Sequence, residues 1–259
     1  MQLDISSKHY IDTALGVDIS IPLRSGENTI RAWYCDEVKI EAVRANGFIG
    51  DVNEGGSVNF RNVAFNPHGN GTHTECVGHI STEYVSLNDC LKEFHFNALL
   101  ISVNPDIVST DTGQFDQVIT RQMIELAYKN LMQEVPVIPT ALIVRTLPNK
   151  ENKCQKNYSN TNPAYFSPEA MGYIVEKGIC HVITDLPSVD REEDGGKLIA
   201  HHIFWNYPTE KFSNNTITEL AFIPDSLSDG WYLLNLQITS LVNDASPSKP
   251  VLYKPFAKK

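Results

Sequence analysis

Short runs of consecutive apolar residues recur along the chain and indicate buried strands. The predicted strands cover residues 98–103, 140–146, 181–185 and 232–238. The second and third are nearly continuous in apolar residues, which is typical of strands that are covered on both faces. The pattern therefore favours a sheet with packed elements on each side.

Two segments carry the spacing of amphipathic helices. Apolar residues recur every three or four positions over 117–134, which predicts a first helix. A second helix is predicted over 168–177. Ser167 is a suitable N-cap, Pro168 suits the first helical position, and Gly178 ends the pattern.

The order of these elements indicates an α/β fold. A strand at 140–146, a helix at 168–177 and a strand at 181–186 form a plausible parallel crossover unit. The polar loop over 147–162 is long enough to serve either as a lid or as a solvated surface insertion. The length of 259 residues fits one large domain or two modest ones.

Composition narrows the range of partners. The formal net charge of −10 argues against a nucleic-acid surface. No apolar stretch approaches the length of a membrane span, and the N-terminus lacks the apolar core of a signal peptide. Five scattered cysteines suit a reducing compartment better than a disulfide framework. We therefore expect a cytoplasmic protein with a small-molecule partner and neither nucleic-acid nor membrane binding.

Metal-ligand side chains cluster in the first third of the chain. In an extended segment His73, Glu75 and His79 would point to one face, because they are separated by even numbers of residues. Imidazole and carboxylate are the usual ligands of zinc and related ions. With His68 as a fourth candidate, the cluster predicts a metal site with an open coordination position. Cys76 is out of phase with the other three and is not expected to be a ligand.

The rest of the ligand set is expected downstream. His201, His202 and Glu219 are the best candidates, because one strand cannot easily supply a whole site. The other histidines are expected to have no role at the site; they are His9, His95 and His181.

The run from Gly69 to His79 resembles a family motif. It reads Gly-Asn-Gly-Thr-His-Thr-Glu-Cys-Val-Gly-His. The cyclase family typified by bacterial kynurenine formamidase carries His-x-Gly-Thr-His-x-Asp-x-Pro-x-His. Further segments resemble the family in order between about residue 15 and residue 242; they are 17–20 with Pro22, 141–146, 166–170, 183–190, 201–202, Glu219 and 230–233.

The resemblance implies a fold, an activity and an assembly. The fold would be a single α/β domain over residues 1–259, with a mixed, partly barrel-like central sheet flanked by helices, similar to a swivelling β/β/α domain. The activity would be metal-dependent hydrolysis of a small amide, arylformamide-like or cyclic. The ion would be a divalent metal, with zinc expected and manganese as the alternative, bound as one or two ions. The protein would form a homodimer or a larger homo-oligomer.

The resemblance also implies residue roles. His73 and Glu75 match metal ligands, and Glu75 stands where the family has a bridging aspartate. His79 matches the histidine that moves protons and is the expected catalytic residue, although it could instead join the ligands. Glu219 would complete the metal site with His201, which we prefer, or with its neighbour His202.

Three departures from the motif bear on these roles. The leading histidine of the motif falls on Gly69, so His68 can act as a ligand only if a local bulge turns it inward. Glu75 is longer than aspartate, so the backbone or the metal must shift. Val77 replaces a proline and leaves the segment less rigid. The departures are also compatible with two alternatives to a hydrolase. One is a protein of the same fold that binds a metal or ligand with little catalysis, and the other is a metal-dependent cyclase or lyase.

Such a site has a defined chemistry. A bound metal activates water and polarises a carbonyl, and a histidine returns the proton to a leaving nitrogen. The chain contains no Gly-x-Ser-x-Gly sequence, which argues against a serine hydrolase.

Four aromatic residues could form a substrate wall or belong to the core; they are Trp33, Tyr34, Trp205 and Tyr207.

Overall fold

The protein is described by a computed structural model over residues 1–110 and 113–258. In chain order the strands are β1 (Gln2–Asp4), β2 (His9–Asp12), β3 (Val17–Asp18), β4 (Lys39–Ala42), β5 (Arg44–Ala45), β6 (Phe48–Ile49), β7 (Arg61–Ala64), β8 (His73–Glu75), β9 (His95–Val103), β10 (Asp106–Ser109), β11 (Phe115–Ile119), β12 (Ala141–Thr146), β13 (Tyr165–Phe166), β14 (His181–Thr184), β15 (Thr216–Glu219), β16 (Gly230–Ile238), β17 (Ala245–Tyr253) and β18 (Phe256–Ala257). The α-helices are α1 (Leu87–Cys90), α2 (Arg121–Leu131), α3 (Pro168–Glu176) and α4 (Ile199–Trp205).

Seven of these strands close into a barrel. Their order is β16-β9-β12-β14-β15-β8-β17, and β17 pairs back onto β16. The pairs from β9 through β12 and β14 to β15 are parallel, whereas the remaining pairs are antiparallel. This mixed, barrel-like sheet with few helices confirms the predicted fold class.

The parallel strands of the barrel are largely buried on both faces. On β9, Leu99 and Ile101 pack toward the helices, whereas Ala98 and Leu100 belong to a second apolar cluster with residues of β16 and β17. The strands β12 and β14 alternate in the same way. Burial on both faces explains why the sequence shows continuous apolar runs rather than alternation.

The predicted crossover unit is confirmed. The strands β12 and β14 are parallel neighbours, and α3 lies between them in sequence. Helix α3 begins at Pro168, and the Ser167 hydroxyl accepts a hydrogen bond from the N–H of Ala170. The predicted helix over 168–177 therefore differs from the observed one by a single residue.

The predicted helix over 117–134 was wrong at its beginning and three residues too long at its end. Residues Phe115–Ile119 form β11, and helix α2 starts only at Arg121. The backbone of Thr120 between them is extended. Val118 and Ile119 pair with β13, and apolar and β-branched side chains of this kind suit a half-buried strand. Tertiary pairing thus overrides the helical spacing at this point.

The loop over 147–162 is anchored at one end of the barrel. The Lys153 ammonium forms an ion pair with the buried carboxylate of Asp185 at 2.7 Å, and it also donates to the Thr146 carbonyl. The Tyr158 side chain is buried in a third apolar cluster. Among residues 1–110 and 113–258, no helix has the length and apolar character needed to cross a membrane.

Candidate metal centre

His73 and Glu219 face each other across two strands of the barrel. The antiparallel pairing of β8 with β15 places them directly opposite. Both side chains are buried, and His73 Nε2 lies 3.5 Å from Glu219 Oε2. Opposed residues on neighbouring strands have side chains on one face of the sheet. Two residues far apart in sequence therefore lie side by side on one face of the sheet.

Glu75 lies at the centre of the site, where three histidine side chains approach its carboxylate. It lies two positions after His73 on β8 and is only 1% exposed. Its Oε1 lies 2.9 Å from His201 Nε2, and its Oε2 lies 3.0 Å from His68 Nδ1 and 3.8 Å from His79 Nδ1. Its two oxygens therefore face three imidazoles.

His79 lies on a turn and not on the extended segment that the sequence predicted. Strand β8 ends at Glu75, and Val77–His79 form a 3-10 turn in which the His79 N–H donates to the Cys76 carbonyl at 2.9 Å. The prediction of an extended segment through His79 was wrong, because the backbone turns after Glu75. The turn still directs the ring toward Glu75, and the side chain remains 29% exposed.

His68 enters from a polar turn that precedes β8. The amide side chains of Asn66 and Asn70 accept hydrogen bonds from the N–H groups of His68 and Asn66, and the Asn70 N–H donates to the Asn66 carbonyl. The turn directs His68 Nδ1 at Glu75 without any strand bulge. The one-residue offset from the family motif therefore does not keep this side chain away from the site.

Helix α4 places His201 at the site and directs the neighbouring His202 elsewhere. The His201 ring is 1% exposed and lies between Glu75 and Asp190, with its Nδ1 2.6 Å from Asp190 Oδ2. The His202 Nδ1–H instead donates to the Tyr207 carbonyl at 3.0 Å. The structure thus brings His201 to the site and turns His202 away.

The donor set fits a divalent metal. Ligand atoms lie within 4.8 Å of one another in two groups that share Glu75; the groups are His68, Glu75 and His79, and His73, Glu75 and Glu219. His73 Nδ1–H donates to the Gly71 carbonyl, and its buried Nε2 has no hydrogen-bond partner among the described residues. A buried imidazole nitrogen with a free lone pair beside two carboxylates suits a metal ligand.

The site balances buried negative charge with imidazolium charge. Burial lowers the pKa of His68 and of His201, but hydrogen bonds to Asp244, Asp190 and Glu75 outweigh it and raise both pKa values to about 10. Burial raises the pKa of Glu75, yet the surrounding imidazoles hold it well below its usual value. A cation bound here would displace protons from these imidazoles.

A cavity of about 410 Å³ opens onto these side chains. Trp33 lies in its wall, together with His68 and His79. The other aromatic candidates lie elsewhere. Tyr34 is largely exposed, Trp205 is buried in the core, and the Tyr207 hydroxyl accepts from the N–H of Thr82.

Two carboxylates beside the candidate ligands were not predicted from the sequence. Asp190 ends a segment that carries the family resemblance, which was the available signal for its place beside His201. Asp244 lies 2.9 Å from His68 Nε2, and no nearby motif points to it. The Cys76 Sγ lies 3.6 Å from the Val85 carbonyl, and this thiol belongs to neither group of candidate ligands.

A family model described as a putative cyclase matches residues 17–191, which is more than half of the chain. The matched segment includes His68, His73, Glu75 and His79. A search of curated proteins finds no match.

Three solved structures are similar to this chain over most of its length. Isatin hydrolase A from Ralstonia solanacearum has a TM-score of 0.65 at 14% identity, with 92% of this chain and 91% of that chain covered. Isatin hydrolase A from Labrenzia aggregata, bound to benzyl benzoate, has 0.64 at 16%, covering 92% and 93%. A predicted metal-dependent hydrolase from Bacillus stearothermophilus has 0.58 at 16%, covering 92% and 97%. At these identities the likeness shows the fold alone.

Proposed function

This chain belongs to the cyclase family, and we propose that it is a metal-dependent hydrolase of a small amide, either arylformamide-like or cyclic. The observation that carries the proposal is the convergence of three imidazoles and two carboxylates on one cavity. The buried Nε2 of His73, which lacks a hydrogen-bond partner among the described residues, supports a cation at that point. We take residues 1–259 as one cyclase-like domain.

The ligands would be distributed around Glu75. We assign metal binding to His68, His73, Glu75, His201 and Glu219. Because Glu75 belongs to both groups of ligand atoms, its carboxylate could bridge two ions or serve one. Zinc is the expected ion, and manganese is the alternative, since both accept imidazole and carboxylate. A bound ion would activate water and polarise a carbonyl oxygen.

His79 would move the proton. Its ring borders the cavity, and its Nδ1 lies 3.8 Å from Glu75 Oε2 and 3.6 Å from Asp244 Oδ2. Two carboxylates on the Nδ1 side favour a proton on that nitrogen and leave Nε2 free to exchange one with a reactant. An amine leaves poorly from a tetrahedral centre until it is protonated, so this exchange would complete amide cleavage.

The cavity suits a small planar substrate. Its volume of about 410 Å³ lies in the usual range for small-molecule sites, and the Trp33 ring supplies an apolar wall. Two similar structures are isatin hydrolases, and we extend a cyclic amide to this chain as one candidate substrate class. Neither a nucleic acid nor a membrane is part of the proposal.

One observation favours a second candidate function. Glu75 replaces the aspartate of the family motif, and each of its oxygens lies within 3.0 Å of an imidazole nitrogen. A carboxylate whose two oxygens both contact imidazoles favours a family member that binds an ion or another ligand and has little catalytic activity. A metal-dependent cyclase or lyase would use the same ligands.

The experiment measures metal content and rate on one protein preparation. Elemental analysis of the purified protein is combined with rates on an N-formyl aromatic amine and on a cyclic imide. His201→Ala should lose metal and activity, whereas His202→Ala, which changes the adjacent residue outside the site, should keep both. Bound metal without turnover on either substrate would favour the second candidate. Absence of metal from the wild type after zinc or manganese loading would refute both the hydrolase and an ion-binding member.

We also propose a homodimer or larger homo-oligomer in the cytoplasm. Several apolar side chains between β4 and β7 are exposed, including Phe48, Val58 and Phe60, and such a surface suits contact with a second copy. The five cysteines are free in the described structure, as suits a reducing compartment. Light scattering during gel filtration would give the oligomeric state directly.

A further inference from the structure

Asp244 is held in fixed register with the strand that carries the site. It directly precedes β17, and the next residue, Ala245, pairs with Glu75. The Asp244 carbonyl accepts a hydrogen bond from the Cys76 N–H at 3.0 Å. The backbone at position 244 is therefore tied to the end of β8, just after Glu75.

The Asp244 side chain reaches the outer nitrogen of one imidazole. Its Oδ2 lies 2.9 Å from His68 Nε2, while the opposite ring nitrogen, Nδ1, lies 3.0 Å from Glu75 Oε2. An imidazole that donates Nε2–H to Asp244 presents the Nδ1 lone pair to the interior of the site. The contact thereby selects both the ring orientation and the tautomer of His68.

The other two imidazoles proposed as ligands are held in an equivalent way. His73 Nδ1–H donates to the Gly71 carbonyl, and Nε2 faces Glu219. His201 Nδ1 lies against Asp190, and Nε2 faces Glu75. In each ring one nitrogen is fixed by an oxygen acceptor and the other is directed at a carboxylate of the site. His68 presents Nδ1 rather than Nε2 because it enters from a turn and not from β8 or α4.

We propose that Asp244 is a positioning residue that holds His68 as a metal ligand through Nδ1. The inference rests on the metal centre of the proposed function. An acceptor behind a ligating histidine fixes its orientation and raises its basicity, and removing one usually weakens metal binding roughly 10–100-fold. Asp244 lies outside the segment matched by the family model, so nothing in that match assigns it a role.

The first measurement is the affinity for the metal alone. The dissociation constants for Zn²⁺ and Mn²⁺, from competition with a chromophoric chelator, should rise roughly 10–100-fold in Asp244→Ala. Asp244→Asn retains an oxygen acceptor and should recover part of the loss. Asp106→Ala, which changes an exposed aspartate on β10, is the matched control and should bind as the wild type does.

A double-mutant cycle tests whether Asp244 acts through His68. If it does, Asp244→Ala should cause little further loss of affinity once His68→Ala is present, because coupled residues are not additive. Equal losses in the two backgrounds would overturn the inference while leaving the metal centre intact. A wild type that binds neither ion would overturn both, so the two failures are distinguishable.

Histidine ring ¹⁵N spectra give a readout that a purely structural role would not move. The metal-loaded wild type should show His68 with a protonated Nε2 and a metal-shifted Nδ1. Asp244→Ala should lose this signature even if the urea midpoint of the metal-free protein is unchanged. If the signature persists while only the midpoint falls, Asp244 merely stabilises the end of β17 and the inference is wrong.

Discussion

His73 Nε2 lies 3.5 Å from Glu219 Oε2, although the two residues lie on different strands and three other barrel strands separate them in sequence. Their proximity depends on the register of β8 against β15, which no local motif encodes. The pairing of β8 with β15 is therefore what brings His73 and Glu219 together in the candidate metal centre. It also makes Glu219 a direct test of that centre.

Glu219→Gln should weaken metal binding roughly 10–100-fold or more, because it removes a charged metal ligand. Loss of a group that only hydrogen-bonds to a ligating histidine already has an effect of this size. The amide keeps the shape of the side chain, so the urea midpoint should change little by comparison. Chelator competition measures the affinity. Unchanged affinity would show that Glu219 is not a ligand.

Gly78 allows the 3-10 turn at His79 to pack closely, and Gly78→Ala should therefore destabilise the fold. An added Cβ would lie 2.2 Å from the Val85 carbonyl oxygen and 3.0 Å from Asp244 Cβ. Overpacking of this kind costs about 1–3 kcal/mol of the free energy of unfolding. Urea denaturation measures the loss.

The control for Gly78 is another glycine of the same chain. An added Cβ at Gly172, within α3, would meet no atom of the described residues within 4 Å apart from its own helix backbone and chain neighbours. Gly172→Ala should thus stabilise the protein by about 0.5–1 kcal/mol, because alanine is the better helix former. Similar losses in both variants would mean that close packing at Gly78 is not the cause.

Lys153→Met should destabilise the protein by about 3–5 kcal/mol, because it leaves the Asp185 carboxylate buried without its cation. The double variant Lys153→Met/Asp185→Asn should recover part of the loss, since the uncompensated charge is gone. Lys150→Met, which changes an exposed lysine of the same loop, is the control. Urea midpoints and proteolysis within 147–162 would report the effects. No difference between Lys153→Met and Lys150→Met would contradict the anchoring role.

His181 should make the protein less stable in mild acid. Burial lowers its pKa from 6.5 to about 4, so the unfolded chain takes up a proton at higher pH than the folded protein does. Its contribution is constant above pH 6.5 and is lost as the pH falls toward 4, by at most about 3 kcal/mol. His181→Gln should remove this part of the pH dependence.

Urea unfolding at several pH values between 7 and 4.5 measures this effect. The His181 ring is 6% exposed, packs on Phe96 and lies 2.9 Å from the Thr216 hydroxyl, so the variant will also lose some stability at neutral pH. The informative quantity is therefore the change of slope with pH. His95→Gln, at an exposed histidine, controls for the loss of an imidazole. Parallel slopes for His181→Gln and the wild type would contradict the prediction.

The sequence could predict the elements that depend on local pattern. The apolar runs that became β12 and β14 need burial on both faces, and Ser167 with Pro168 specifies the start of α3. It could not predict that residues 117–119 extend, because their pairing with β13 is a tertiary contact. The candidate ligands were predictable by residue type, whereas the place of Asp244 follows only from the register of β17 against β8.

The variant His79→Ala distinguishes a role in proton transfer from a role in metal binding. If it moves protons, His79→Ala should retain the metal and lose turnover by roughly 10²–10⁴-fold. The loss should be larger for an anilide than for an activated ester, because the ester leaving group departs without protonation. His202→Ala, a histidine outside the site, should change neither rate.

The alternative for His79 is a place among the ligands, since its Nδ1 belongs to a group with Glu75 and His68. In that case metal content and both rates should fall together, and leaving-group quality should not matter. The measurements are metal content and rate for the variant on one anilide and one activated ester. Equal losses on the two substrates with the metal retained would contradict the proton-transfer role. We expect retained metal and a larger loss on the anilide, because the ring is partly exposed to the cavity where a leaving group would sit.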